Sequence, residues 1–344
     1  MIALDELRDA AEKAFPRDQL TPDRGESWRK IAELGWLMIE LSEADGGLGL
    51  GPESTAAILF EQGRVLSTAP LTPALLGLKA IAASGLPNRQ GWIERICGGE
   101  YVPLNLLPAR IEANAGGALM GTLSGVFEAD MASHALAGLP GMYVLIPLDA
   151  AGVTLIERPL WDESRRLFDV KLSGFMPDPA LILAQGDAAR ALHDLISPAA
   201  QLAFAADALG GANAALDLTV DYLKLRKQFD RPLALFQALK HRVADCKVKI
   251  AAAEALLWQQ AGLAQLSPVE AGALKTLATQ VYAEVAEEAI QLHGGIGLTQ
   301  EHPCHRFLKR AFLNRTLCGD GDHWNEQAGR AALMAMTDRT EQAG

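Results

Sequence analysis

Three long runs of helical periodicity in the second half of the chain constrain the fold more than any other feature of the sequence. Apolar residues recur at intervals of three and four in each run, at residues 187–226, 233–265 and 268–294. A fourth run extends from about residue 303 to 337. Long helices joined by short connections pack antiparallel, so the sequence predicts a C-terminal four-helix bundle over residues 183–344.

The first half of the chain shows two different patterns. Residues 1–98 have helical periodicity in three stretches around a glycine-rich connection at 43–51, namely 4–15, 26–41 and 52–66. Residues 99–182 contain short β-rich runs separated by Gly, Pro and Asp, at 119–130, 134–148, 151–159 and 166–175. The predicted fold is therefore mainly α with a β domain: an N-terminal helical domain, a central antiparallel β domain and the bundle.

The charge balance argues against nucleic acid as a partner. The formal net charge is −11, whereas binding to a phosphate backbone requires a clustered excess of Lys and Arg. An anionic ligand would have to be met by a local group of cations. No apolar run reaches the roughly 18 residues that a membrane span needs, and the N-terminus lacks the basic start and apolar stretch of a secretory signal. We therefore expect no membrane partner and a cytoplasmic location.

Two short stretches of the bundle carry residue types suited to binding an anion. The first has Arg226 and Gln228 beside Phe229 at a turn between two helices. The forked guanidinium of an Arg can clamp a diphosphate, although an Arg at a turn can also be a solvated surface residue. The second places Gly294 and Gly295 at a helix end. Adjacent glycines let backbone N–H groups approach a phosphate closely, but glycine is also a common helix C-cap.

Together with two further segments, these stretches resemble the acyl-CoA dehydrogenase family over nearly the whole chain. The resemblance rests on four segments that match in order, residues 34–51, 151–174, 226–245 and 291–311. It implies that the RKQFD and QLHGG motifs reach across a subunit interface to hold the FAD of a neighbouring chain. By this resemblance, the pyrophosphate and adenosine side of FAD is contacted by Arg226, Gln228, Phe229, Phe236 and Gln237. Its diphosphate is contacted by Gln291, Gly294 and Gly295.

Two functional parts of the family pattern are missing. The β-domain loop that usually holds the flavin ring and the thioester, a Thr-Glu-Pro-like stretch followed by Gly-Ser-Asp, is replaced by residues 101–121, where Asn105 is the only polar side chain in an apolar core. The carboxylate that removes the substrate's α-proton would fall at Cys318, and the family's other position for this base aligns near Ala200. The Arg-Asp pair that usually precedes the first position is altered to Lys309–Arg310.

A substitute base must come within about 2.6–3.2 Å of the proton that it removes. Asp320, two residues beyond the family's Glu position, is the nearest candidate. Asp207 is less favoured, and so is Cys318 as a thiolate, because no cation adjacent in the sequence lowers the pKa of its thiol. The sequence thus keeps what a subunit gives to its neighbour's flavin and loses what it needs for its own.

This division is expected of the non-catalytic subunit of a hetero-oligomeric acyl-CoA dehydrogenase. The resemblance implies a heterotetramer in which this chain completes the FAD site of a related catalytic subunit. It also implies that electrons leave through an electron-transfer flavoprotein and that the substrate is a steroid side-chain or other bulky acyl-CoA. Two alternatives stay open: a self-sufficient homotetrameric acyl-CoA dehydrogenase with Asp320 as its base, and a flavin-free helical scaffold or binding protein.

A metal site is not expected from the sequence. Four possible ligands lie close together, His302, Cys304, His305 and His323. Structural zinc motifs usually have paired ligands at both ends, and this spacing does not match. His293 is expected to be a satisfied core or surface side chain.

Overall fold

The computed structural model describes residues 4–342, and the side chains of residues 4–336. Its N-terminal part is helical, as predicted, with α1 (Leu4–Ala14), α2 (Arg24–Glu33), α3 (Pro52–Arg64), α4 (Leu71–Ala82) and α5 (Arg89–Cys97). The start of α2 is capped by Asp23, whose carboxylate accepts a hydrogen bond from the Glu26 N–H at 2.9 Å. Pro52 opens α3, where a missing N–H costs no helical hydrogen bond.

The helix predicted over residues 26–41 is shorter than expected. It ends at Glu33, because Gly35 takes a left-handed conformation with φ of 70°. A short 3-10 turn, Trp36–Met38, follows it. The helices α4 and α5 lie in a region that the sequence pattern marked only generally as helical.

The central part consists of two antiparallel sheets, which confirms the predicted β domain. Its strands are β1 (Ala109–Ala113), β2 (Leu119–Phe127), β3 (His134–Leu139), β4 (Met142–Pro147), β5 (Val153–Arg158), β6 (Leu167–Phe175) and β7 (Ile182–Gln185). One sheet has the order β1-β2-β6-β5 and the other the order β3-β4-β7. Side chains of both sheets form a shared apolar core that includes Leu123, Val144 and Val170. The domain limits at residues 98 and 182 stay predictions.

The C-terminal part is the predicted bundle. It contains α6 (Asp187–Leu225), α7 (Gln237–Ala261), α8 (Pro268–His293), α9 (Cys304–Thr316) and α10 (Gly321–Gln342). The 39-residue α6 packs against α3 on one side and α8 on another, so its middle is almost wholly buried. A capping box formed by Ser267 and Glu270 begins α8. Among residues 4–342, no helix is long and apolar enough to cross a membrane.

The fourth bundle helix, predicted as one run from about 303 to 337, is two helices. It is interrupted between Thr316 and Gly321, where Cys318 and Gly319 both have positive φ, 54° and 89°. A right-handed helix cannot continue through two left-handed residues. The break therefore creates a turn at the residue where the family resemblance places the base.

A buried group of charges joins the three parts of the chain. The guanidinium of Arg310, which is 1% exposed, donates to Asp162 at 2.8 Å, to Asp207 at 3.4 Å and to the Ser67 carbonyl at 3.1 Å. Burial disfavours the ionised Asp162, but the Arg310 charge holds the pKa of that carboxyl below its usual value. Arg310, where the resemblance places the Asp of an Arg-Asp pair, is thus compensated by two aspartates.

Candidate functional site

The RKQFD turn is a tight hairpin at the end of α6. Two short strands, β8 (Lys227–Gln228) and β9 (Arg231–Pro232), pair across Phe229 and Asp230. Both turn residues have positive φ, 53° and 60°, as a two-residue type I′ hairpin turn requires. The Leu233 N–H donates to the Arg226 carbonyl at 2.8 Å, which closes the base of the hairpin before α7 begins at Gln237.

The side chains that the resemblance assigns to FAD in this turn are presented outward. Arg226, Gln228 and Gln237 are exposed, and the Phe229 ring is 84% exposed, in edge contact with Phe236 at 6.1 Å between centroids. Within residues 4–336, the side chains of Arg226 and Gln237 take part in no hydrogen bond or ion pair. Their donors are therefore available to a molecule outside this chain.

The QLHGG segment ends α8 at the same end of the bundle. Gly294 has φ of 63° and ψ of −142°, a conformation that is open almost only to glycine. A Cβ at Gly294 or Gly295 would meet no atom of this chain within 4 Å. Since Gly295 also has no left-handed φ, neither its own conformation nor its neighbours within the chain require glycine there. Gln291, one turn earlier, is exposed.

Tyr222 connects the two motifs. Its ring stacks on His293 with centroids 4.5 Å apart, and its hydroxyl donates to the His293 carbonyl at 3.3 Å. The hairpin and the QLHGG segment therefore lie at the same end of the bundle. We call residues 226–237 and 291–295 the bundle tip. The structure brings the eight predicted FAD residues to this surface, and their contact with FAD stays a prediction.

A second site lies between the β domain and the bundle. It is a cavity of about 350 Å³, which we call the Cys318 cavity. It is lined by Leu104–Pro108, Gly138, Tyr143, His193, Ile196, Ser197, Ala200, Gln201, Cys318, Gly319, His323 and Trp324. Cys318 and Ala200, the two positions at which the resemblance places a base, thus face the same space. So does the loop that replaces the family's flavin-ring loop.

Among the described residues that line the Cys318 cavity, none has a carboxylate. Asp320 is exposed and accepts a hydrogen bond from the His323 N–H at 2.9 Å, so it serves as a cap at the start of α10. Asp207 is held by Arg310 and by the Asn314 amide at 2.7 Å, away from the lining. Burial raises the pKa of the Cys318 thiol to about 12, which leaves almost no thiolate near neutral pH.

Polar groups near the cavity hold the Cys318 turn in place. The Trp324 indole N–H and the Gln201 amide both donate to the Cys318 carbonyl at 3.1 Å. The buried Lys275 ammonium donates to the Gly319 carbonyl at 2.5 Å and to the Arg315 carbonyl at 3.0 Å. Burial lowers the pKa of Lys275 to about 8. The Asn105 amide donates to the Leu107 carbonyl at 2.7 Å.

Of these residues, the sequence singled out Asn105, whereas Gln201, Lys275 and Trp324 were not predicted. Lys275 was detectable in principle, because a single lysine in an otherwise apolar segment of a helix, AGALKTLA, is a buried cation with a specific partner. Trp324 gave no such signal, because nothing in the sequence shows that its ring packs on α8. The group of possible metal ligands that lie close together in the sequence is not the group that lies close together in the structure. His302 and Cys304 lie beside His293, whereas His305 and His323 are outside this group.

The fold and the two sites define an acyl-CoA dehydrogenase-type chain. Family models described as the acyl-CoA dehydrogenase N-terminal and C-terminal domains match residues 2–100 and 199–333. The acyl-CoA dehydrogenase IpdE2 of Mycobacterium tuberculosis is 32% identical over 305 residues, which cover 88% of this chain and 86% of that protein. The chain belongs to the acyl-CoA dehydrogenase family, which supports an oxidoreductase function of this kind.

Two solved structures extend the likeness to hetero-oligomeric relatives. A variant of the Tcur3481-Tcur3483 steroid ACAD superposes with a TM-score of 0.84 at 28% identity, covering 97% of this chain and 98% of that chain. The ChsE4-ChsE5 complex from Mycobacterium tuberculosis superposes with a TM-score of 0.81 at 25% identity, covering 96% of this chain and 95% of that one. The predicted resemblance to subunits of hetero-oligomeric acyl-CoA dehydrogenases is confirmed.

Proposed function

We propose that this chain is the non-catalytic subunit of a hetero-oligomeric acyl-CoA dehydrogenase. It lends the bundle tip to an FAD that is held mainly by a related catalytic subunit. That partner desaturates a CoA thioester at the α,β-position. The observation that carries the proposal is the Cys318 cavity: both family positions for the base line it, and neither residue, Cys318 or Ala200, can remove a proton at neutral pH.

The residues of the bundle tip fit the diphosphate of FAD. Arg226, Lys227 and Arg231 supply local positive charge in a chain whose net charge is −11. Gly295 leaves open space in which backbone N–H groups can meet a phosphate without steric hindrance. The exposed face of Phe229 suits contact with the adenine ring. When bound, FAD supplies the acceptor for the substrate's β-hydride, and this chain's part is to position its phosphates.

The similar solved structures support a proposal for the substrate class. One of the superposed structures is a steroid ACAD, and we propose that this chain supports the desaturation of a steroid side-chain or other bulky acyl-CoA. Transfer of the electrons to an electron-transfer flavoprotein, in the cytoplasm, belongs to the same proposal. Two alternatives compete with this proposal: a homotetramer with Asp320 as base, and a flavin-free scaffold. The following experiment distinguishes the proposal from both.

The decisive experiment is to coexpress the chain with candidate catalytic acyl-CoA dehydrogenase subunits from its own organism and to count flavins in each purified complex. We expect the chain alone to be colourless and the purified complex to hold one FAD for every two chains. A yellow preparation of this chain alone that is reduced by an acyl-CoA would instead support the homotetramer. No association and no flavin under any condition would support the scaffold.

The Arg226→Ala variant tests the role of the bundle tip. We expect the complex to assemble but its FAD affinity to fall about 10- to 100-fold, because a charge-assisted hydrogen bond contributes roughly 1.5–3 kcal/mol. The matched control is Arg190→Ala at the opposite end of α6, where the arginine pairs with Asp187 on the surface. Affinity is measured by flavin fluorescence during dilution of the complex. An equal effect of both variants would contradict the proposed contact.

A further inference from the structure

A group of three potential ligands lies at the junction of α8 and α9. One ligand atom each from His293, His302 and Cys304 lies within 4.8 Å of the others. His293 and Cys304 are buried and His302 is half-buried. We propose that these three residues bind a zinc ion, which fastens the loop between the two helices.

The tautomer of His293 favours ligation. Its Nδ1 lies 2.7 Å from the Ala289 carbonyl oxygen, which can only accept, so Nδ1 carries the proton and Nε2 has the lone pair. The residue is 3% exposed, and Nε2 has no hydrogen-bond partner among the described residues. A buried acceptor without a partner is costly to the fold. A histidine ligand whose second nitrogen donates to a backbone carbonyl is the usual arrangement at zinc sites.

His302 and Cys304 complete the group from the other side. The His302 ring lies 4.4 Å from the His293 ring between centroids. Its Nδ1 accepts only a long hydrogen bond, 3.3 Å, from the Cys304 N–H, so that lone pair is weakly held. Cys304 is wholly buried at the first residue of α9. Its Sγ lies within 4.8 Å of a ligand nitrogen of each of the two imidazoles.

The ligand chemistry favours a transition metal over Ca²⁺ or Mg²⁺. Two imidazoles and one thiolate suit Zn²⁺, whereas Ca²⁺ and Mg²⁺ require oxygen ligands. Three protein ligands leave a fourth position for water in a tetrahedral site. On binding, the Cys304 thiol loses its proton to solvent as the S–Zn bond forms, with no change in oxidation state. The sequence spacing alone gave no zinc motif, because His293 comes from the preceding helix.

The position of the site suggests what the ion does. His293 and His302 bracket residues 294–301, which include Gly294 and Gly295 of the bundle tip. An ion across the two ends of this segment would restrict the backbone N–H groups that the proposed function assigns to a diphosphate. The effect on the diphosphate site rests on the proposed function, but zinc binding itself does not. An experiment can therefore contradict the zinc site or the proposed function without contradicting the other.

Cobalt(II) provides the test, because it occupies zinc sites and reports its ligands by absorption. The chelator-treated full-length chain is titrated with cobalt chloride and then with zinc chloride. We expect one cobalt per chain, a thiolate-to-cobalt charge-transfer band in the near ultraviolet, and loss of both signals on addition of zinc. Wild-type protein that shows no saturable band overturns the proposal and leaves His293 and His302 as a packed pair without an ion.

Variants assign the ligands. Cys304→Ser should abolish the charge-transfer band, and His302→Ala should weaken cobalt binding at least about tenfold, since even second-shell changes cost that much. His305→Ala is the matched control, because His305 is the next residue of α9 and also has a buried Nε2 without a partner, yet lies outside the group. It should bind cobalt within about twofold of wild type.

The remaining outcomes are also decisive. A charge-transfer band that persists in Cys304→Ser overturns the assignment. Circular dichroism verifies that each variant is folded. The wild-type cobalt spectrum tests the metal site even if a variant does not fold. Loss of flavin in Arg226→Ala with unchanged cobalt binding would separate the flavin function from the metal site.

Discussion

The bundle tip and the Cys318 cavity differ in where their polar groups are directed. At the tip, Arg226 and Gln237 are exposed and unpaired within the described part of the chain. In the cavity, Trp324 and Gln201 donate to the backbone of the turn that they help to build. Polar groups that hydrogen-bond within the chain stabilise the fold. Exposed donors without a partner in the chain are instead available to bind another molecule that supplies the acceptor.

Under the proposed function, the two regions separate catalysis from cofactor support. The described lining of the Cys318 cavity has no carboxylate, yet Trp324 and the Cys318 turn are packed and hydrogen-bonded within the chain. Under the same proposal, the bundle tip has its partner outside the chain. The two regions should therefore respond oppositely to mutation: the cavity side through stability, the tip through flavin binding.

The largest effect is expected inside the fold, for Arg310→Met in the buried group of charges. The substitution removes the cation that compensates the buried Asp162 and Asp207. Breaking a buried ion pair by removing one partner costs about 3–5 kcal/mol. We expect the free energy of unfolding, measured in urea, to fall by this amount. The complex that still forms should retain its FAD affinity, since Arg310 contacts Asp207, which lies roughly five helical turns of α6 before Arg226.

Arg330→Met is the control for this experiment. Arg330 is exposed on α10 and pairs with Glu326 one helical turn away. An exposed pair of this kind contributes only about 0.3–0.5 kcal/mol. If both variants lowered stability equally, the central role of the buried Arg310 group would be refuted.

A smaller loss of stability is expected for Gly272→Ala. A Cβ at Gly272 on α8 would overlap the Trp324 indole, so this ring, which lines the Cys318 cavity, would have to move. Overpacking of this kind costs about 1–3 kcal/mol. Gly329→Ala on α10 is the matched control, because a Cβ there meets nothing within 4 Å and should stabilise the helix by up to about 1 kcal/mol. Thermal unfolding followed by circular dichroism distinguishes the two.

Gly295→Ala should show the opposite behaviour. The added methyl group meets open space in this chain, so the free energy of unfolding should change by less than about 0.5 kcal/mol. In the coexpressed complex the methyl group would separate the backbone N–H groups from a phosphate, and we expect FAD affinity to fall about tenfold, or roughly 1.4 kcal/mol. Flavin release on dilution measures this. Normal flavin retention by Gly295→Ala would remove the phosphate contact from the proposal.

Much of this contrast could be predicted from the sequence, because its determinants are local. The periodicity of residues 187–226 predicted α6 almost to its last residue. The family resemblance placed the equivalents of the base at Cys318 and near Ala200, and the structure brings both residues to one cavity. The edge strand β1 was missed although its residues, ARIEA, alternate apolar and charged side chains, because the run is only five residues long and Ile111 is its only large apolar residue.

What the sequence could not predict depends on contacts between distant segments. The break in the fourth bundle helix needs Cys318 in a left-handed conformation, which Lys275 and Trp324 hold from other helices. The approach of His293 to His302 depends on the path of the loop between α8 and α9. The spacing of residues along the chain does not predict the contacts around Cys318 or the distance between His293 and His302. Both are known only from the three-dimensional structure.

The smallest expected effect is that of Asp320→Asn. The Asn side chain keeps an oxygen that can accept from the His323 N–H, so the cap of α10 and the fold should persist. Because Asp320 is exposed and does not line the Cys318 cavity, turnover of the coexpressed complex with an acyl-CoA should stay within about twofold of wild type. The homotetramer predicts a different result. If Asp320 removes the α-proton, losing its carboxylate should lower kcat by about 10²- to 10⁴-fold with little change in KM. Such a loss of kcat would show that Asp320 of this chain is the catalytic base.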